Sequence, residues 1–128
     1  NKKVFEMHGS VHRNYCTECG KSFSPEYIRD SHEDIPRCDT CGGLIKPDVV
    51  LYEEGLDSDT LSGAIHVIRQ ADMMIVAGTS LTVYPAAGLL QYCRGRNLVL
   101  INRDATPMDS NADLVIHDKV GQVLGSLR

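Results

Sequence analysis

Two Cys-x-x-Cys hooks separated by eighteen residues constrain this chain more than any other feature. Cys16, Cys19, Cys38 and Cys41 stand in the order Cys-x2-Cys-x18-Cys-x2-Cys. Such spacing brings four thiolates onto one tetrahedral ion, and the loop between the hooks falls within the range of zinc ribbons. Two redox dithiols are the rival interpretation, but neither pair sits between a strand and a helix start, where that chemistry is found. Four sulfurs fill the coordination sphere of Zn²⁺ and leave no place for water, so the expected zinc is structural. Residues 12–47 around the hooks are polar and turn-rich. Metal binding should therefore supply much of their stability. With four cysteines available, His8 and His12 are not needed as ligands, and His12 is expected at the exposed edge of the module.

The remainder follows another rhythm. DVVLYE (48–53), MMIVAG (73–78), NLVLIN (97–102) and LVIHD (114–118) are short runs rich in Val, Ile and Leu. This is the pattern of strands buried on both faces of a parallel sheet, and VFEMHG (4–9) would add one more strand. Between the runs, Asp57 is placed to cap a helix with Leu61, Ala64, Ile65 and Ile68 on one face. Pro85 suits the first turn of a second helix reaching about Cys93, with Gly95 as its stop. A third helix begins near Val120, and Ser24 with Pro25 predicts a short one inside the cysteine module. The alternation implies an α/β chain: a Rossmann-like parallel sheet with right-handed crossovers and an inserted four-cysteine zinc ribbon. Residues 1–11 and 48–128 are read as a partial Rossmann-like domain, and 12–47 as the zinc-binding module.

Open α/β sheets bind ligands at the carboxyl ends of their strands, and three predicted strand ends here are polar. The first ends in His8-Gly9. The residues alone leave His8 either a catalytic base or a satisfied structural histidine. The second runs into Gly78-Thr79-Ser80, where a glycine lets a ligand approach the backbone and two hydroxyls offer hydrogen bonds. The third closes on Asn102-Arg103-Asp104. Turns favour the same residue types, so each signal is weak alone, but the fold would set all three on one sheet edge. No complete G-x-G-x-x-G occurs in the 128 residues, so a main phosphate loop is expected upstream of residue 1.

E-x-H-G (Glu6 to Gly9), the four-cysteine module, KPDVVLYEE (46–54), AGTSLTVYPAA (77–87) and INRD (101–104) together resemble the sirtuins, NAD-dependent protein deacylases. The resemblance covers essentially the whole chain and looks most like bacterial members. It implies a dinucleotide-binding sheet, a zinc-ribbon domain and an acetyl-lysine site in the cleft between them. It makes His8 the base that activates a ribose hydroxyl, with lysine, nicotinamide and O-acetyl-ADP-ribose as products. It assigns Gly78, Thr79 and Ser80 to the cofactor NAD, Asn102 to the adenosine ribose with Arg103 and Asp104 beside it, and Val120 to the adenine. The peptide would add as a strand between residues 50–54 and 81–84. Val50 and Tyr52 would line the acyl-lysine tunnel, with Val83 and Tyr84 on the other segment. Two positions depart from the family: Tyr52 where Phe is frequent and Glu53 where Gly is frequent, which leaves the acyl preference open. The family's Gly-Ala-Gly loop and Asn-Ile-Asp pocket would precede residue 1. The chain is therefore expected to be part of a longer protein and inactive by itself, with an exposed sheet edge that invites self-association.

Thirteen basic against seventeen acidic residues give a net charge near −4, with no basic run longer than two, which argues against a nucleic-acid partner. No apolar run is long enough to span a membrane and no signal peptide is recognised, so a cytoplasmic protein without membrane association is expected. Competing functions are a non-catalytic zinc-ribbon interaction module, an NAD-linked oxidoreductase and a sirtuin-like mono-ADP-ribosyltransferase. Cys93 is read as a buried helix thiol, and His32, His66 and His117 carry no constellation.

Overall fold

Cysteine hooks that converge on one ion must also draw together the segments that flank them, and the first part of the chain is built on this. The computed structural model describes residues 3–94 and 97–127. The chain divides into two compact units, Asn1–Thr60 and Leu61–Arg128. In the first, β1 (Gly9–Cys16) runs into the first hook, β2 (Ser22–Phe23) leaves it, and β3 (Ile45–Val49) follows the second hook. They form an antiparallel sheet in the order β2-β1-β3, with Cys16 opposite Ile45 and Gly9 opposite Val49. Ser10 faces Asp48 while Asn14 faces the adjacent Pro47, so residues 11–13 bulge from β1.

This pairing corrects two expectations. VFEMHG is not a strand of a parallel sheet. Residues 4–6 have no regular structure, Met7 and His8 form a turn, and the strand begins only at Gly9. DVVLYE contributes only its first two residues, to an antiparallel strand. The physical reason is local closure: the sulfurs bring Cys16 next to the second hook, so the flanking strands pair with each other. The expected boundaries at residues 11 and 48 thus fall inside one sheet.

The short helix α1 (Pro25–Arg29) starts as its sequence dictates. The Ser24 hydroxyl accepts from the Tyr27 amide at 3.3 Å, and Pro25 occupies the first turn, where its missing N–H costs nothing. The core beneath is small: Cys16, Phe23 and Cys38 are buried, with Ile45 packed against them. The Phe23 and Tyr27 rings lie 4.7 Å apart.

Helix α2 (Ser58–Gln70) spans the division between the units. The Thr60 amide donates to Asp57 Oδ1 at 2.7 Å, and the expected face of Leu61, Ala64, Ile65 and Ile68 is the shielded one. The second unit then builds a parallel sheet from β4 (Met74–Ala77), β5 (Leu98–Ile101) and β6 (Leu114–Ile116), in that order. Leu100 and Ile101 on the middle strand are almost completely buried. On β4, Met74 and Val76 are half-buried whereas Ile75 and Ala77 are exposed, so this strand is covered on one face and not on both. The segment after Pro85 is a 3₁₀ helix, Ala86–Tyr92, with Leu90 buried. Gly88 at its centre is a poor α-helix former, and its amide bonds three residues back, to Pro85. Gly95, read as the helix stop, lies outside the described residues. Helix α3 (Val120–Gly125) follows β6. Among the described residues no helix is long and apolar enough to cross a membrane.

Candidate functional site

The metal centre assembles as the spacing predicts. The sulfurs of Cys16, Cys19, Cys38 and Cys41 all lie within 4.8 Å of one another. Cys16 and Cys41 sulfurs are 3.5 Å apart and those of Cys19 and Cys38 are 3.7 Å apart. A tetrahedron with Zn–S bonds of about 2.3 Å has edges of roughly 3.8 Å, so the donor set fits Zn²⁺ without rearrangement. The electrostatics agree. Burial opposes ionisation of Cys38, but the backbone N–H groups of Cys41 and Thr40 outweigh it and bring the thiol down to about 6. At Cys41 the Gly43 N–H favours the thiolate, yet the three neighbouring sulfurs overrule it and push the thiol up to about 12. Four thiolates can share this space only around a cation. No histidine is part of the cluster.

His8 stands exposed in the turn that precedes β1, where the Gly9 amide donates to the Glu6 carbonyl at 2.9 Å. Gly9 takes φ +73°, and a Cβ there would lie 1.9 Å from the Asp48 carbonyl oxygen. Only glycine allows this approach of β1 to β3, and the approach lets the Val50 amide donate to the His8 carbonyl at 3.1 Å. Arg13, on the bulge, reaches Glu6 Oε2 at 2.5 Å and Asp48 Oδ2 at 2.8 Å. Sequence reasoning missed this tie, which joins residues thirty-five positions apart. Val50 is half-buried and Tyr52 is fully exposed.

The second unit gathers the polar strand ends. Gly78, Thr79, Ser80, Asn102, Arg103, Asp104 and Val120 line one cavity of about 480 Å³ at the carboxyl ends of β4, β5 and β6. That volume is ordinary for a small-molecule site. Gly78 has φ +65°, a conformation glycine adopts without strain. The Asn102 amide donates to the Asp104 carbonyl at 3.0 Å, and among the described residues its own oxygen has no hydrogen-bond partner. Ser80 and Thr82 hydroxyls lie 2.8 Å apart, and Thr79 Oγ1 accepts from the Leu81 amide at 3.2 Å. Asp118, Lys119 and Gly121 also line the cavity. They were missed although they follow β6, and the strand-end rule could have found them. His117, to which nothing was assigned, has Nδ1 at 3.3 Å from the Asn102 carbonyl and Nε2 at 3.4 Å from Asp109 Oδ2. Val83 and Tyr84 are exposed and do not line this cavity; Tyr84 borders a separate groove with Pro85, Gly88 and Met108.

Comparison with known proteins meets this geometry. The Sir2 family profile matches residues 1–85. An NAD-dependent protein deacetylase of Clostridium acetobutylicum is 58% identical over 124 residues, covering 97% of this chain and 51% of the relative. The enzyme of the same name from Clostridium perfringens is 56% identical over 128 residues, covering 99% of this chain and 52% of the relative. The chain thus spans about half the length of the curated relatives it matches. Among solved structures, a Sir2 with p53 peptide and NAD+ superposes with a TM-score of 0.91 at 39% identity, over 99% of this chain and 55% of that one. A Sir2 bound to acetylated peptide gives 0.91 at 38% identity, over the same shares. With the profile covering well over half of its residues and the four-cysteine centre in place, this chain belongs to the Sir2 family.

Proposed function

We propose that this chain supplies the zinc module, the general base and the adenosine side of the cofactor site to an NAD-dependent protein lysine deacetylase. One observation carries the reading: seven residues from three strand ends meet at one cavity. The curated relatives of the same name and the Sir2 complexes with NAD+ and acetylated peptide support the identity of its ligand. Bound NAD would supply the ribose carbon that takes up the acetyl oxygen as nicotinamide leaves, and one water would then be consumed in breaking the acyl–nitrogen bond, so that O-acetyl-ADP-ribose and free lysine are released.

The chain's own residues then have separate tasks. Asn102 accepts a hydrogen bond from an adenosine ribose hydroxyl through its open oxygen. Thr79 accepts the Leu81 amide on one lone pair and donates its hydroxyl hydrogen to the ligand. Arg103 and Asp104 border the ribose, and Val120 packs beside the adenine. His8, exposed on its turn, accepts a proton from a ribose hydroxyl through an imidazole nitrogen, the side chain most often used for such proton transfer. Zn²⁺ holds the module together and takes no part in the chemistry. An acylated peptide adds as a strand against Val50 and Tyr52 and against Val83 and Tyr84. Within the whole protein we assign residues 1–11 and 48–128 to the dinucleotide-binding domain and 12–47 to the zinc module, with the β1–β3 pairing running across that boundary. The pyrophosphate loop and nicotinamide pocket belong to the remainder. The open apolar face of β4 packs against that remainder, or against a second copy when the remainder is missing. Four reduced thiolates on zinc suit the cytoplasm.

The test uses the full-length protein with acetylated peptide and NAD, following products by mass spectrometry. His8→Ala should cost on the order of a hundred- to ten-thousand-fold in turnover, with zinc content and NAD affinity retained. Turnover within a few-fold of the parent overturns the role of His8. ADP-ribosylated peptide in place of free lysine identifies a mono-ADP-ribosyltransferase, and no NAD consumption identifies an interaction module.

A further inference from the structure

Among the described residues two non-glycine residues adopt a left-handed backbone, Glu53 at φ +70° and Leu81 at φ +56°. They fall in the two segments assigned to the peptide. Strained backbone of this kind persists only where its surroundings over-determine it. At Glu53 those surroundings are explicit. Leu51 to Glu54 form a four-residue turn closed by the Glu54 amide donating to the Leu51 carbonyl at 3.2 Å. Glu53 holds its third position, where turns with positive φ take glycine. The Glu54 carboxylate folds back on the same turn, and its Oε2 accepts from the Leu51 amide at 2.9 Å. Lys46 Nζ then bonds both carboxylate oxygens, at 2.8 and 3.0 Å. Lys46 lies on β3, paired with Tyr15 of β1, so the turn is fastened to the sheet. At its second position Tyr52 projects with its surface 100% exposed. An aromatic ring with no packing of its own is aimed only by the backbone beneath it.

We propose that Lys46 and Glu54 are positioning residues that lock the strained 51–54 turn and so preset Tyr52 for an acylated-lysine peptide. The proposal rests on the deacetylase reading and adds to it residues that touch neither NAD nor the reacting atoms. An exposed ion pair by itself contributes little. Here the same carboxylate also closes a turn that one residue resists. The pair is stable to pH. The Leu51 N–H and then Lys46 hold Glu54 below the usual carboxylate range, and Glu54 raises Lys46 above its own. The glutamate contribution is lost only as pH falls through its lowered value, and the lysine contribution only as pH rises through its raised value. Across neutrality the clamp stays charged and closed.

The experiment measures steady-state kinetics of the full-length protein on an acetylated peptide, with hydrogen exchange at the Leu51 amide as a readout independent of turnover. Lys46→Met and Glu54→Gln should raise the peptide KM roughly three- to ten-fold, more than they lower kcat, while the NAD KM and zinc content hold. Lys46→Arg, which can still pair, should stay near the parent. Glu53→Gly placed on Glu54→Gln should recover most of the peptide KM, because glycine takes the left-handed position without strain. Leu51 exchange should quicken in Lys46→Met. Unchanged exchange overturns the clamp, and quickened exchange with an unchanged peptide KM overturns its role in substrate binding. A parent that consumes no NAD with acetylated peptide overturns the function itself, and shows this before any variant is made.

Discussion

In Asn1–Thr60 the buried hydrophobic side chains are Cys16, Phe23 and Cys38, whereas in Leu61–Arg128 they are Leu90, Leu100, Ile101 and the helix alanine Ala64. Two of the first three are sulfurs of the metal cluster. The first unit has almost no apolar interior of its own, and its three strands and short helix are arranged around four thiols. The second buries aliphatic side chains on the middle strand of its parallel sheet, on the 3₁₀ helix and on α2. Each hosts the chemistry suited to its build. The metal-knit unit carries backbone held in set shapes, the His8 turn and the 51–54 turn, while the strand-knit unit carries a cavity where parallel strands end.

Removing the metal is the strongest way to break this comparison. Chelation, or Cys38→Ser, should abolish hydrogen-exchange protection throughout β1, β2 and β3, because binding energy at such a site is folding energy. Protection in β4, β5 and β6 should survive, since no sulfur of the cluster belongs to that unit. Equal loss of protection in both units would show that the metal organises the whole chain and that the division is only geometric.

A cavity in the aliphatic core probes the other side. Leu100 is 2% exposed on the middle strand of the parallel sheet. Leu100→Ala should cost about 2–5 kcal/mol, enough to melt a marginal unit, and zinc stoichiometry should remain one per chain. Zinc loss in this variant, followed by inductively coupled plasma analysis, would contradict the independence of the two cores.

The two units also differ in how much of them can be read in advance. Cys16, Cys19, Cys38 and Cys41 declare themselves because a tetrahedral ion needs four soft donors at short spacing. Gly78 to Ser80 and Asn102 to Asp104 are legible because a buried strand that ends in polar residues marks a ligand edge. VFEM and VVLY were misread because their apolar runs look like those of β4 and β5. What differs is the pairing partner, and the convergence of the two cysteine hooks decides that from a distance in sequence. Arg13 with Glu6 and Asp48, and Lys46 with Glu54, are invisible to spacing because each tie exists only once the strands are in register. Glu53 could have been suspected, since the third position of a tight turn with positive φ is one that glycine takes without strain.

The smallest effect sharpens the comparison furthest. Ser24 caps α1, its hydroxyl accepting from the Tyr27 amide, and Ser24→Ala should cost about 1 kcal/mol. In a unit with a large core such a loss would stay local. Here α1 seats Tyr27 on Phe23, and the Tyr27 hydroxyl donates to the Arg37 carbonyl at 2.9 Å, one residue before Cys38. The cap is therefore linked to the second hook through one ring. Because folding and metal binding share the same free energy in this unit, the lost stability should appear as weaker zinc affinity, roughly five-fold. Competition with a chromophoric chelator measures it. Leu100→Ala, although far more costly, should leave that affinity unchanged. A cap variant with parental zinc affinity would mean that α1 is fixed by the sheet and not by the metal, and the first unit would then own more of its fold than its three buried hydrophobic side chains suggest.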